Sequence, residues 1–258
     1  MLDLFKLELK RAFLNKNFLI SIFISLIAIS ISLKDPWQFR DEYSSVEAWM
    51  RGIGMGNGIM ILFIPFLVSI AYSTSLAEEK KNNYLKYIYI RVRSDRYLWT
   101  KGIVNALVGG ISVLLPSIIL LIVVSLNFKS TSLLGIDPYM ISNDPLAWVM
   151  DYNNIIYLLL QCMWLFFHGM IWATFSFIVS LITKRFIVVI MVPFIYYIGV
   201  NFLLAIIGLG EYTPPSSVAP YLVSGSTIIS MMVQPILIIL IIFSISMFYL
   251  RFKDEHYL

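Results

Sequence analysis

Residues able to do chemistry are scarce in this 258-residue chain. It has two histidines, His168 and His256, and one cysteine, Cys162. A zinc site needs several clustered His, Cys or carboxylate ligands, and no such spacing occurs. A Gly-x-Ser-x-Gly nucleophile elbow and a Gly-x-x-x-x-Gly-Lys-[Ser/Thr] phosphate loop are both missing. The chain is therefore expected to be no enzyme, to hold no metal or cofactor, and not to bind ATP itself. Its densest chemistry lies in residues 77–101, AEEKKNNYLKYIYIRVRSDRYLWTK, with ten charged side chains, seven of them basic, four tyrosines and a tryptophan. Charge laced with apolar anchors suits docking, either to a cytosolic partner or to anionic lipid headgroups. Asn83, Tyr87 and Ile90-Arg91 share one side of a short helix, whereas YIYIRVR also alternates as a strand would. Ser94-Asp95 has the character of an N-cap for the helix that follows.

The elements that must position this stretch are membrane spans. The chain is 59% hydrophobic and 13% charged, with a mean hydropathy of +0.84, far from the soluble norm of about 25% charged residues. Six stretches approach the roughly 20 apolar residues that a spanning helix needs: 17–33, 52–76, 102–128, 154–183, 186–209 and 230–250. The fold expected is all-α and integral to the membrane, in one domain. With both termini inside, fifteen of the 19 basic residues fall on the inner side. Only Lys34, Arg40, Arg51 and Lys129 fall outside, a strong positive-inside bias. Residues 77–101 are then cytoplasmic, as is the short turn at Lys184-Arg185. Residues 1–16 carry Leu2, Phe5, Leu9 and Phe13 near one helical face, with Lys6, Glu8 and Lys10 elsewhere, and read as an interfacial helix before an uncleaved first span. A solvated, lysine-anchored N-terminus is the plainer reading.

The six spans contain no Asp, Glu, Lys or Arg, which argues against an ion-coupled carrier, whose coupling ions need ligands near the midplane. They do contain helix-packing and helix-bending residues. Gly52/Gly56 and Gly54/Gly58 form small-xxx-small pairs, and Pro65, Pro116, Pro193 and Pro235 lie inside spans. Asn57, Ser69, Tyr72, Tyr196 and Asn201 are candidates for lining a weakly polar path for an amphipathic substrate; interhelical packing is the plainer role for any one of them. Gln161 and His168 share a face with Trp164 and Trp172 close by. The tract 210–227, GEYTPPSSVAPYLVSGST, is loop-like in its Pro, Gly and Ser content but carries one charge, Glu211. A capped outer loop and a segment dipping back into the protein both fit it.

The interfacial helix of KLELKRAFLNKNF type, the six spans and the loop Ala-Glu-Glu-Lys-Lys…Tyr-Ile-x-x-Arg-x-x-Ser…Lys together resemble the membrane subunit of an ABC-2 type transporter, a compact peptide- or antibiotic-exporter-like member. Glu78, Glu79, Arg93, Ser94 and Lys101 carry the resemblance; the family's Gly-Thr after the acidic start is replaced by Lys-Asn-Asn. The resemblance implies a homodimer of permease chains in the bacterial plasma membrane. It implies two copies of a cytosolic ATPase holding ATP and Mg, and no nucleic-acid partner. The ATPase would grip Glu78, Glu79, Lys80, Asn83, Tyr87 and Arg91, with Lys184 and Arg185 as secondary contacts. Removing both Glu78 and Glu79 is then expected to spare folding and abolish coupling. The exported substrate would be an antimicrobial or cytolytic peptide; a lipid, drug or polysaccharide exporter is the alternative within the family. An ion-coupled carrier or a non-transport scaffold is the alternative outside it.

Overall fold

A computed structural model describes residues 2–56, 58–129 and 144–255, with side chains for 3–56, 58–129 and 144–249. Helix α1 is Leu2–Phe13, α2 Lys16–Ser32, α3 Lys34–Gln38 and α4 Ser45–Ile53. A longer helix, α5, runs Met60–Lys81 through a π-helical turn at Ser69–Ser73. Then come α6 Tyr84–Arg91, α7 Ser94–Asn127, α8 Asn154–Ile182, α9 Phe186–Ile206, α10 Pro214–Val218 and α11 Ile228–Glu255. No strand occurs among the described residues; the nearest thing is one bridge between Ser44 and Lys129. YIYIRVR is helical as far as Arg91 and extended only from Val92, so the helical reading of that stretch holds.

Five helices are long and apolar enough to cross a membrane: α5, α7, α8, α9 and α11. The α1–α2 pair, bent by 49°, passes the same test only when taken together. Helix α7, with 34 residues, is about 50 Å long at 1.5 Å per residue. It outreaches a hydrocarbon core of about 30 Å. The centre of the bundle is the α7–α8 pair, the most extensive helix contact. Small residues let the backbones close: a Cβ on Gly109 would lie 2.2 Å from the Ala173 Cβ, and one on Gly169 would lie 2.9 Å from the Gly109 carbonyl oxygen. In lipid, where apolar contact alone gives helices no preference for each other, such close approach is a main source of association.

The second span begins at Met60, eight residues later than hydropathy places it. Gly54, Gly56 and Gly58 do not pack helices together. They form a break between α4 and α5, with Gly56 at φ +61° and Gly58 folded tightly back onto the Gly54 backbone. Asn57 lies outside the described residues. Gly52 does meet another helix, against Leu120. Helix α4 is almost wholly buried and starts on a capping box, in which Ser44 and Glu47 each bond the other's backbone, satisfying two N–H groups that would otherwise be orphaned.

Three of the four prolines inside the long helices show how a freed carbonyl is satisfied by a neighbouring segment. A proline frees the carbonyl four residues before it, and in hydrocarbon that oxygen needs a partner. Tyr197 Oη donates to the Ile61 carbonyl freed by Pro65, at 2.9 Å. Ser176 Oγ donates to Val189, freed by Pro193, at 2.8 Å. Ser217 Oγ donates to Met231, freed by Pro235, at 2.5 Å. Each kink is thereby tied to a neighbouring segment by one hydroxyl.

Candidate functional site

The charged stretch 77–101 divides into a buried part and an exposed part. Glu78 is exposed, while its neighbour Glu79, about 100° further round α5, is 2% exposed. Glu79 Oε1 accepts from Arg11 Nη1 at 2.5 Å and from Lys101 Nζ at 2.6 Å. Its Oε2 accepts from Tyr97 Oη at 2.7 Å. Lys101 is fully buried; it also donates to Tyr97 Oη at 3.1 Å and lies 5.4 Å from the centres of the Tyr72 and Tyr97 rings. From α1, Glu8 accepts from Tyr72 Oη at 2.6 Å and stands 3.8 Å from Lys101 and 3.6 Å from Arg11. Two acids, two bases and two tyrosines thus clamp together α1, α5 and α7. Only Arg11, about half exposed, reaches solvent to any extent.

Two expectations are corrected here. Glu8 does not lie away from the apolar face of α1; it is buried with Ala12, on the face that meets Tyr72 and Lys101. Charge is also not absent from the long helices: Glu79 lies within α5 and Lys101 within α7. Hydropathy trimmed both helices at the charges and so placed these residues in a loop. Glu79, being enclosed, is not available to a docking partner in this conformation.

The exposed part is α6. Asn83, in the left-handed region at φ 58°, turns the chain out of α5, a conformation asparagine tolerates better than most residues. Leu85, Ile88 and Tyr89 pack toward Tyr97, Phe177 and Ile178. No residue of α6 is fully buried, and Tyr84, Tyr87 and Ile90 stand out, Ile90 at 82% exposure. Tyr84, Tyr87, Ile88, Arg91 and Val92 line a shallow groove. Lys80 faces away from it, donating at 2.9 Å to the carbonyl of Ser180 and also to that of Leu181, where it caps the end of α8. Lys184 and Arg185 are exposed, and Lys184 lies near enough to Lys80 to repel it.

Among the described path candidates, Ser69, Tyr72, Tyr196 and Asn201, no hydrogen bond or ring contact joins one to another. Ser69 donates to the carbonyl of Pro65 in its own helix, at 2.5 Å. Tyr72 belongs to the charge cluster. Tyr196 sits against Trp172 and Phe175, with its hydroxyl 3.4 Å from Gln234 Oε1. Asn201 is partly exposed on α9. The Gln161–His168 face instead holds segments at the opposite end of the bundle. Gln161 Nε2 and Tyr157 Oη donate to the buried Asp144 carboxylate at 2.7 and 2.5 Å. Trp164 Nε1 donates to the Ser217 carbonyl at 2.9 Å, and His168 Nε2 lies 3.3 Å from Ser217 Oγ. The tract 210–227 is buried over Pro214–Val218 and at Pro220 and Tyr221. Burial pushes the Asp144 carboxyl above the usual carboxylate range, against the opposing pull of the bonds from Tyr157, Leu146 and Gln161.

Four members of the charge cluster, Glu8, Arg11, Tyr97 and Lys101, lie outside the candidate site residues of the sequence, although Lys101 is among those that carry the resemblance. Glu8 and Arg11, three apart on one helix, carry the one legible signal, an ion-pair spacing. None of the family models, curated proteins and solved structures compared matches this chain.

Proposed function

We propose that this chain is the permease half of an ATP-driven exporter of the ABC-2 type. It would work as a homodimer with two copies of a cytosolic ATPase that holds ATP and Mg. The end bearing α1 and α6 is then cytoplasmic, α1 lies along the inner interface, α2 supplies the sixth span, and both termini lie inside a bacterial plasma membrane. An amphipathic molecule, best a cytolytic or antimicrobial peptide, is the substrate this reading favours.

The observation that carries the reading is the contrast between α6 and its roots. The helix displays Tyr84, Tyr87 and Ile90 to solvent, while α5 and α7 on either side of it are cross-linked by Glu79, Tyr97 and Lys101. A partner gripping α6 therefore pulls on two long helices at once, which is what an external energy source requires. The four charges of the cluster are paired with each other near the helix ends, which favours a clamp over a relay for coupling ions.

The test is mild-detergent purification of the tagged chain from its native cells, followed by mass spectrometry. The expected result is a soluble protein with a nucleotide-binding phosphate loop in near-equal amount, lost when Tyr87→Ala and Ile90→Asp are combined. A chain that comes out alone, with and without added cytosol and ATP, overturns the reading.

A further inference from the structure

The charge cluster divides cleanly along the surface of α1. On the α1 side stand Glu8 and Arg11, one acid and one base, 3.6 Å apart. On the other side stand Glu79 and Lys101, again one of each, 2.6 Å apart, with Tyr97 bonded to both. Each half is electroneutral and internally paired. What crosses between them is the Arg11–Glu79 pair, the Tyr72–Glu8 hydrogen bond and the 3.8 Å Lys101–Glu8 approach.

This partition matters because a buried charge left without its partner is the costly outcome, whereas a buried pair kept together is not. Separating α1 from α5 and α7 leaves no lone charge on either side. The rest of the contact, made mainly with α7, is apolar. Ala12, with Phe5, Leu9 and Phe13, covers Ala71, Tyr72, Val104 and Val108, a surface that lipid tails solvate as well as protein does. The hinge is also in place. The chain turns by 49° between α1 and α2. Asn15 there accepts from the Asn17 amide at 3.0 Å, so α2 keeps its own cap whatever α1 does.

We propose that α1 is a releasable strap, latched over the roots of α5 and α7 by Arg11 and Glu8 and able to swing on the Leu14–Asn15 hinge with its Glu8–Arg11 pair kept together. Arg11, the half-exposed member, is the labile end of the latch. The strap follows from charge pairing within this chain and does not depend on what the protein transports.

The strap is tested by thiol labelling of the full chain carrying Ala12→Cys, a position with no exposure at rest. Cys162, buried in α8, reports global unfolding in the same molecule, and peptide mass spectrometry separates the two sites. With the latch intact, position 12 labels slowly. With Arg11→Ala, or with Glu8→Gln and Arg11→Gln together, it labels at least tenfold faster while Cys162 stays unreactive. Arg11→Lys returns the rate to within about twofold of the reference. The neutral double variant also tolerates heating better than Glu8→Gln alone, because only the single variant leaves an excess buried cation. A position 12 as slow in the double variant as in the reference overturns the proposal, since packing alone would then hold α1. A parallel rise at position 12 and Cys162 in the double variant overturns it too, since the cluster would then be inseparable from the fold. If Arg11→Ala fails to fold, Tyr72→Phe removes one crossing bond without touching charge. It is expected to raise the rate at position 12 severalfold, and no rise counts against the strap.

Discussion

Glu78 and Glu79 are adjacent carboxylates with opposite fates on substitution. Glu79→Ala removes three hydrogen bonds, from Arg11, Lys101 and Tyr97, at 2.5, 2.6 and 2.7 Å. It leaves the fully buried Lys101 with Glu8 at 3.8 Å as its nearest carboxylate, and leaves the cluster with two bases against one acid. Removing one partner of a buried pair costs about 3–5 kcal/mol. Arg11 can turn to solvent, so its share of the loss is small and the lower half of that range is expected. Glu78→Ala touches no such network and should fall within about 0.5 kcal/mol of the parent. The assay is the loss of the monodisperse elution peak of the detergent-solubilised protein after graded heating, with the two variants compared side by side. Equal melting of Glu78→Ala and Glu79→Ala would refute the cluster as a structural element. So would recovery of Glu79→Ala to parental stability without a second change at Lys101. A joint substitution at both positions, the natural test of a docking patch, would confuse misfolding with lost coupling; Glu78 alone is the informative site for docking.

Three further outcomes follow from the same structure. Gly109→Ala places a methyl 2.2 Å from the Ala173 Cβ and should destabilise the bundle by about 1–3 kcal/mol; Gly199→Ala, with nothing within 4 Å, is the neutral control in the same heating assay. Tyr197→Phe strips the Ile61 carbonyl of its donor and should cost about 1 kcal/mol, read as a lower denaturant midpoint in mixed micelles. Asp144 has a carboxyl raised by burial, so its neutral form favours folding. That contribution is complete below the ordinary carboxylate range and is lost as pH rises through the raised folded-state value. Asp144→Asn should flatten this fall in melting temperature between acid and neutral pH, and an unchanged slope would assign it to other groups.

The long helices were legible because hydropathy is a property of each residue alone. All six stretches marked by it correspond to helices, 17–33 to α2 and the other five to helices long enough to span on their own, and Pro65, Pro116, Pro193 and Pro235 lie inside four of those. What failed was the treatment of charge. A lysine or glutamate at the edge of an apolar run reads the same whether it ends in water or folds back onto a partner. Only the coordinates distinguish Glu78 from Glu79, one residue apart. The same ambiguity hid Lys101, seven residues inside α7. Other signals are local. Ser44-x-x-Glu47 is a capping-box spacing and marks the start of α4, which hydropathy left in an outer loop. Glycine at every second position from Gly52 to Gly58 is a breaker pattern before it is a packing motif. The near absence of charge in 210–227 agrees with the burial of Pro214–Val218, though composition alone left a capped loop open.

The site itself was half legible for a physical reason. An exposed patch is local: Tyr84, Tyr87 and Ile90 follow one another on a single helix, so residue types and spacing reveal a basic, aromatic surface. The clamp beneath is not local, because Glu8 meets Tyr72 across 64 residues and Arg11 meets Glu79 across 68. The Glu8–Arg11 spacing points to it only through charge balance. In a chain this apolar, an acid among the lysines of α1 and an acid next to Lys80 need compensation if buried. The bases that supply it are Arg11, three residues after Glu8, and Lys101, where the next long helix has made just under two turns. The pairing therefore ties the clamp to the lengths of two helices and the angle of a third. A one-residue insertion between Ser94 and Lys101 would rotate Lys101 by about 100° away from Glu79. It should open the clamp while sparing the apolar spans, so that the chain still inserts but loses heat stability as Glu79→Ala does. Equal stability with and without the insertion would mean that the apolar contacts around Leu76, Tyr97 and Phe177 hold the roots of α6 unaided.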